Sequence, residues 1–313
     1  MRLVFLGTPR FAVPTLEAIL AAGHEIAAVY TQPDRPKGRG RQLVPSPVKE
    51  CALAHGLRVD QPERLRRPEV VEQLRAVGAD AMVVVGYGQI IPQTIIDLPR
   101  LGIINVHASL LPKYRGAGPI QWAIANGERV TGVTTMRIDA GLDTGDMLLK
   151  RETEIGPEEN AIELGERLAV AGAELLVETL DGLARGVITP APQNDAEATY
   201  APVLKKEDGI IRWNLPAGEI HCRIRGFQPW PGAYTSFRGQ ILHIWRARLA
   251  AGELNRTPGA AVLQDGKLLV ACGGNSTLEL LELQLEGRKK MPARAFLNGQ
   301  RLVEYEFPGE MKI

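Results

Sequence analysis

The segment Gly102-Ile-Ile-Asn-Val-His-Ala-Ser-Leu-Leu-Pro-Lys-Tyr-Arg-Gly116 decides how this chain is read. It opens on an apolar run, Ile103 to Val106, and closes on a Pro/Gly turn. A short, continuous, β-branched run bounded by turn residues predicts a strand covered on both faces. Asn105 and His107 stand two positions apart near its carboxyl end, so their side chains share one strand face. The carboxyl edge of a parallel sheet is where open α/β folds place their ligands.

Working outward, Leu3 to Leu6, Ile26 to Tyr30 and Ala81 to Val85 repeat the same strand pattern. Helix-like stretches separate them at residues 13–21, 47–55, 69–76 and 118–125. Ser46 is a fitting N-cap for the second of these, with Pro47 at its first position. Strand and helix in alternation predict an α/β fold with an open, Rossmann-like, mostly parallel sheet. Gly132 to Ile138 and Met147 to Glu154 read as two further strands around the loop Asp139 to Asp146, and Ala161 to Leu183 as a long amphipathic helix. Residues 186–202 hold Pro190, Pro192, Gln193, Asn194 and Pro202, the composition of a linker. Beyond residue 208 the runs Ala233 to Phe237, Gln240 to Ala247, Gly259 to Leu263, Lys267 to Ala271 and Thr277 to Leu285 alternate with Gly, Asn and Asp turns. They predict a small antiparallel β-barrel. The expected organisation is a catalytic domain over 1–189, a linker over 190–207 and a β-domain over 208–313.

The length, 313 residues, suits two domains, and 45% apolar with 23% charged residues is an ordinary globular balance. The net charge is only +1, but it is unevenly spread. Residues 200–313 hold 16 Lys/Arg against 11 Asp/Glu, and the remainder holds 21 against 25. A basic second domain is compatible with a nucleic-acid partner and equally with scattered surface charge. Cys51, Cys222 and Cys272 are far apart and in no metal-ligand spacing, so neither a disulfide framework nor a zinc site is expected. MRLVFLG runs straight into a strand pattern without signal-peptide features, and no apolar run is long enough to cross a bilayer; a cytoplasmic protein is expected. Gly86-Tyr87-Gly88 lacks the third glycine of a dinucleotide fingerprint. No phosphate-binding loop, H-E-x-x-H or G-x-S-x-G occurs.

The second informative segment is Asp139-Ala-Gly-Leu-Asp-Thr-Gly-Asp146, a glycine-rich turn with three carboxylates able to bring one of them over the sheet edge. Asn, His and Asp together suit acyl transfer. Attack on a carbonyl creates an oxyanion that Asn105 or protonated His107 can hold. The attacking amine loses a proton and the leaving nitrogen gains one, a task for His107 with Asp143. An α-amino group, with a pKa of roughly 7.7–8.0, is partly neutral at pH 7 and needs no strong base. The same residues also fit a plain structural reading, as a histidine after a strand and an ordinary Asp-x-x-Gly turn.

Asn105-x-His107-x-Ser109-Leu110-Leu111-Pro112, followed by Asp143-Thr144-Gly145, resembles the signature of the 10-formyltetrahydrofolate-dependent formyltransferases. The likeness to the branch that formylates methionyl initiator tRNA runs nearly the whole chain. It includes Gly7-Thr8-Pro9, Thr31-Gln-Pro-Asp-Arg-Pro36, Gly38-Arg-Gly40, Pro45-Ser-Pro-Val-Lys49, Val83 to Gly88 and Pro229-Trp-Pro-Gly232. The resemblance implies the formyltransferase fold, an OB-like second domain, and Asn105, His107 and Asp143 as catalytic residues. It implies that Ser109, Leu110, Leu111 and Pro112 line the site of the co-substrate, 10-formyltetrahydrofolate. Backbone around Val85, Gly86, Tyr87, Gly88, Ala140 and Leu142 would meet the pterin.

For the acceptor, the resemblance implies that a long, mobile basic loop over 33–47, with Arg35, Lys37, Arg39 and Arg41, inserts at the acceptor end of the initiator methionyl-tRNA. Clustered cations neutralise phosphate, and glycines permit close backbone approach. Arg246, Arg248, Lys289 and Lys290, with Arg223, Arg225 and Arg288, are candidate tRNA contacts on the second domain. Trp230, between two prolines, is read as packing rather than as a base-stacking surface. No metal, no obligate protein partner and a monomer are expected. The competing functions are formyl transfer to an amino-sugar nucleotide, disfavoured by the basic loop, and non-catalytic RNA binding, disfavoured by the intact trio.

Overall fold

The computed structural model describes residues 1–37, 42–300 and 304–308. Two compact units divide the chain. The first comprises Met1–Gly116, Val130–Glu154 and Gly165–Ala201; the second comprises Ala117–Arg129, Ile155–Leu164 and the chain from Pro202 onward.

The first unit is built on strands β1 (Arg2–Gly7), β2 (Glu25–Tyr30), β5 (Val59–Asp60), β6 (Ala81–Val85), β7 (Ile103–His107), β9 (Val130–Arg137) and β10 (Met147–Glu154). Their order across the sheet is β10-β9-β7-β6-β1-β2-β5. The five from β7 to β5 are parallel, while β9 and β10 run antiparallel to their neighbours. Helices α1 (Val13–Ala21), α2 (Pro47–Ala54), α3 (Pro68–Val77), α4 (Gln93–Ile96) and most of α6 (Ala161–Ala184) accompany this sheet. The expected Ser46 cap is in place: its hydroxyl accepts from the Lys49 N–H at 3.1 Å. Strand parity sorts the core into two layers. Leu3, Phe5, Val83, Val85, Ile104 and Val106 pack with Leu16, Ile19, Leu176 and Leu180 on one face. Val4, Leu6, Tyr30, Met82, Val84 and Ile103 pack with Val70, Leu74 and Ile95 on the other. Both faces being covered is why these strands read as unbroken apolar runs. The chain leaves β1 for β2 on one side and returns to β6 on the other, so the strand order reverses at β1. That switch point opens a crevice at the carboxyl ends.

The basic segment expected as a loop is partly a hairpin. β3 (Arg35–Lys37) and β4 (Gln42–Val44) pair antiparallel, Arg35 opposite Val44. Arg39 and Arg41 lie outside the described residues. The segment with linker composition is, up to Ala201, part of the first unit. β11 (Tyr200–Ala201) pairs with β8 (Arg115–Gly116), and Ala191 bridges Met147.

The second unit carries β12 (Ala233–Phe237), β13 (Gln240–Ala250), β14 (Ala260–Gln264), β15 (Lys267–Cys272), β16 (Ser276–Leu285), β17 (Met291–Pro292) and β18 (Glu304–Glu306). They form one antiparallel sheet in the order β12-β13-β16-β15-β14-β18, with β17 on β16. The sheet curls into a half-barrel. Its two ends meet: the Arg238 backbone N–H donates to the Tyr305 hydroxyl at 3.0 Å, and the Phe237 and Tyr305 rings lie 4.7 Å apart. Trp213, Phe237, Phe296 and Phe307 fill the interior.

Three helices also belong to this unit: α5 (Pro119–Ala125), where the sequence placed one at 118–125, and α7 (Ala217–Gly226) and α8 (Ala293–Gln300), which the strand pattern did not reveal. Trp230 is a correction. It is 54% exposed rather than packed, because Trp213 already occupies the core and the Pro229–Pro231 turn holds the indole outward. α5 and α7 cross at Gly226, where an added Cβ would stand 2.7 Å from both the Ala125 nitrogen and the Gln121 carbonyl oxygen. Backbone on both sides leaves no soft neighbour to yield. Gly226→Ala should therefore lower stability by about 1–3 kcal/mol, read as a lower urea midpoint at unchanged slope. An unchanged midpoint would mean that the two helices do not depend on this close approach.

Candidate active site

The parity that puts Ile103 in the second core layer also puts Asn105 and His107 on that face. Asn105 is half-buried and His107 is buried. The ring's Nε2 lies 2.9 Å from the Tyr114 carbonyl oxygen. A carbonyl can only accept, so Nε2 carries the hydrogen, and Nδ1 is the nitrogen that faces Asp143. Its distance to Asp143 Oδ2 is 3.7 Å, ion-pair range but longer than a hydrogen bond. Such contacts tighten when a reactant fills the site.

Asp143 reaches His107 by an indirect route. Because β9 is antiparallel, the loop after it starts beside Ile103, at the amino end of β7, where the Ile138 N–H donates to the Ile103 carbonyl. The loop then folds back along β7 and brings the Asp143 carboxylate to His107, at the carboxyl end of that strand. Asp143 sits in the left-handed region at φ 52°, a conformation costing about 1 kcal/mol for a residue other than glycine. Its Oδ2 accepts the Gly116 N–H at 2.9 Å, and its carbonyl accepts from Gln193 Nε2 at 2.8 Å. The same Gln193 nitrogen donates to the Gly145 carbonyl at 2.8 Å. Asp139, the first carboxylate of the loop, instead accepts from the Gly141 N–H and the Thr144 hydroxyl, which shapes the turn.

Ser109 to Pro112 form a tight turn after β7. The Ser109 hydroxyl is buried and donates to the Lys113 carbonyl at 2.6 Å; Leu111 is also buried, and Leu110 is half-buried. Thr134, opposite His107 on β9, binds the turn at two points. Its hydroxyl donates to the Ser109 carbonyl at 2.7 Å and accepts the Leu111 N–H at 3.2 Å. Lys150 Nζ donates to the Leu111 carbonyl.

At the carboxyl end of β6 the Val85 and Tyr87 side chains point into the two core layers, and burial pushes the Tyr87 phenol above its ordinary range. Gly86 and Gly88 leave their backbone exposed, followed by Ile90 at 90% exposure. Gly86 has φ +57°, and a Cβ there would meet Pro9 Cγ at 2.8 Å. The Thr8 hydroxyl ties the first loop to this one by donating to the Tyr87 carbonyl at 3.0 Å. In the loop after β9, Ala140 and Leu142 are exposed. Bare backbone and exposed apolar side chains together suit a flat heteroaromatic ring that hydrogen-bonds at its edges.

Sequence reading missed Arg115 and Gln193. Arg115 is only 2% exposed, and Gln193 lay in apparent linker; the one available signal was an arginine directly before Gly116 in the decisive segment. Among the basic residues singled out, Arg35, Arg246, Arg248, Arg288, Lys289 and Lys290 are exposed. Arg248 makes a two-point ion pair with Glu279, at 2.8 and 3.0 Å. Lys290 places its ammonium 3.7 Å from the Trp245 ring centroid. Among the described residues, no group of three or more His, Cys, Asp or Glu is placed to hold a metal, and no helix is long and apolar enough to cross a membrane.

A buried histidine facing a half-buried aspartate, with an asparagine on the same strand face of an α/β sheet, is an arrangement suited to group transfer. The formyl transferase family matches residues 1–180, and the formyl transferase C-terminal domain family matches residues 203–301. The methionyl-tRNA formyltransferase of Solibacter usitatus is 69% identical, covering 99% of both chains, and that of Koribacter versatilis is 62% identical over 96% of both. The chain belongs to the formyl transferase family and, within it, to the methionyl-tRNA formyltransferases. Among solved structures, an N-formyltransferase from Helicobacter canadensis, in complex with folinic acid and dTDP-3-aminofucose, shares the fold with a TM-score of 0.66 at 18% identity. That match covers 89% of this chain and 98% of the other. Glycinamide ribonucleotide transformylase 1 from Symbiobacterium toebii gives a TM-score of 0.52 at 21% identity, over 62% of this chain and 94% of its own.

Thr134→Val keeps the volume and removes both bonds to the Ser109–Leu111 turn. It strands a buried carbonyl and a buried N–H, so stability should fall by about 1–3 kcal/mol. A thermal or urea melt on otherwise natively folded protein measures this. No loss would show that the turn holds its shape without β9.

Proposed function

We propose that the chain transfers the formyl group of 10-formyltetrahydrofolate to the α-amino group of initiator methionyl-tRNA. The observation that carries this reading is the His107–Asp143 pair beside Asn105, in a chain 69% identical over 99% of its length to a methionyl-tRNA formyltransferase. The exposed backbone at Gly86 and Gly88, with Ile90 and Leu142, supports a pterin site on the same unit.

In this reading the neutral amine attacks the formyl carbon, a C–N bond forms, and the carbonyl oxygen takes up negative charge. The Asn105 side-chain amide donates to that oxygen, and the His107 ring, protonated at Nδ1, adds a second donor. Asp143 stabilises the charged ring. As the bond from carbon to the donor nitrogen breaks, His107 gives its Nδ1 proton to the departing nitrogen and takes the proton lost by the amine in its place. Protons balance, and neither metal nor oxidant is required.

Arg39 and its neighbours in the basic segment serve acceptor choice, because an arginine fork can read base edges or a distorted strand end. The exposed cations of the second unit, Arg246 and Lys289 with Lys290, hold phosphates, which carry no sequence information.

The reading is tested with donor carrying a labelled formyl group, offered initiator methionyl-tRNA and, separately, an amino-sugar nucleotide. Label should appear on the tRNA alone; label on the sugar alone would overturn the assignment. Kinetics at several salt concentrations then separate the two basic regions. Arg39→Ala should reduce the preference for initiator over elongator methionyl-tRNA more than it reduces affinity. Replacing Lys289 and Lys290 by Ala should weaken both tRNAs alike and flatten the log–log salt slope by roughly one unit for each phosphate no longer neutralised. Equal scaling of both tRNAs by Arg39→Ala would reduce that residue to one more phosphate-binding cation.

A further inference from the structure

We infer that Gln193, fixed by the buried Arg115, is a positioning residue for formyl transfer, holding Asp143 in its left-handed conformation against His107. The inference rests on the transfer reading above.

Every polar atom of the Gln193 side chain is engaged. Its Oε1 accepts from Arg115 Nε at 2.9 Å, and the two hydrogens on Nε2 go to the carbonyls of Asp143 and Gly145 at 2.8 Å each. The orientation of the amide is thereby set, since only the nitrogen end can donate to two carbonyls. Arg115 is held in turn by Asp195, at 2.8 Å, and by the pairing of β8 with β11. The Arg115 N–H donates to the Thr199 carbonyl at 2.8 Å.

Two short stretches of chain thus converge on Asp143 from opposite sides. Gly116, next to Arg115, donates its N–H to the carboxylate, while Gln193 binds the carbonyl of the same residue. Tyr114, on the other side of Arg115, supplies the carbonyl that orients His107. One buried arginine therefore sits between the backbone anchors of both reacting side chains. Asp143 at φ 52° needs such restraint, because an unbraced aspartate relaxes toward commoner backbone conformations. A shift of about 1 Å in a reacting group can cost on the order of 100-fold in rate.

The Gln193 side chain hydrogen-bonds to Arg115, Asp143 and Gly145 and not to Asn105 or His107, so its loss should act on rate rather than on binding. The test compares Gln193→Ala and Gln193→Glu with the parent enzyme, measuring kcat, KM for the formyl donor and for methionyl-tRNA, and the melting midpoint. The 15N-resolved imidazole signals of His107 are recorded on the same samples. Gln193→Glu decides the matter even if the alanine variant fails to fold. It keeps the shape and the acceptor for Arg115, and it replaces the two-carbonyl donor by a carboxylate. We expect kcat to fall roughly 10–100-fold in both folded variants, with both KM values within threefold and the His107 signals displaced. If Gln193→Glu stays within threefold of the parent in kcat, or leaves the His107 signals unmoved, Gln193 only anchors chain and the inference is wrong. A parent enzyme that forms no formylated tRNA would instead sink the functional reading, and the imidazole signals would still judge the brace.

Discussion

The site depends on one constraint: an imidazole that must donate from Nε2 to a backbone carbonyl while its other nitrogen faces a carboxylate. The Tyr114 carbonyl fixes the tautomer and ring plane of His107, and the Gly116 N–H fixes the carboxylate of Asp143. Both anchors belong to the turning segment 109–116 that follows β7, so the geometry of the two side chains proposed as catalytic reduces to the geometry of that one turn. That turn is held from β9 by Thr134 and from β11 through Arg115 and Thr199. Preorganised donors and a fixed acid–base pair lower a barrier without reorganisation at the moment of reaction.

How much of this was legible depends on how local the signal was. The strands of the first unit were readable because burial on both faces leaves a continuous apolar run, and the shared face of Asn105 and His107 follows from strand parity alone. The route of Asp143 was not readable. The sequence offered a carboxylate for the sheet edge, but not that antiparallel β9 starts the loop at the amino end of β7, so that Asp143 must come back to reach His107. Arg115 and Gln193 escaped notice for a related reason. They meet across 78 positions, and a Pro/Asn/Gln-rich segment looks the same whether it hangs free or lies against a sheet.

In the second unit, alternation revealed the five longer strands but not α7, whose buried Ala217, Ile220 and Ile224 are diluted by glycines and charges. Trp230 was misjudged because a large aromatic between prolines reads as core, whereas the core was already filled by Trp213 and three phenylalanines. The cations there also divide in a way composition cannot show. All four of Arg246, Arg248, Lys289 and Lys290 are exposed, but Arg248 is engaged by Glu279 and Lys290 lies over Trp245.

The central claim is that His107 and Asp143 work as one unit. A double-mutant cycle on kcat, using His107→Ala, Asp143→Asn and the double variant, tests it most directly. Each single change should reduce turnover by about 100-fold or more, and the double variant should be no worse than the more damaged single. Reductions that multiply would contradict the account, because they would mean that the two side chains act independently.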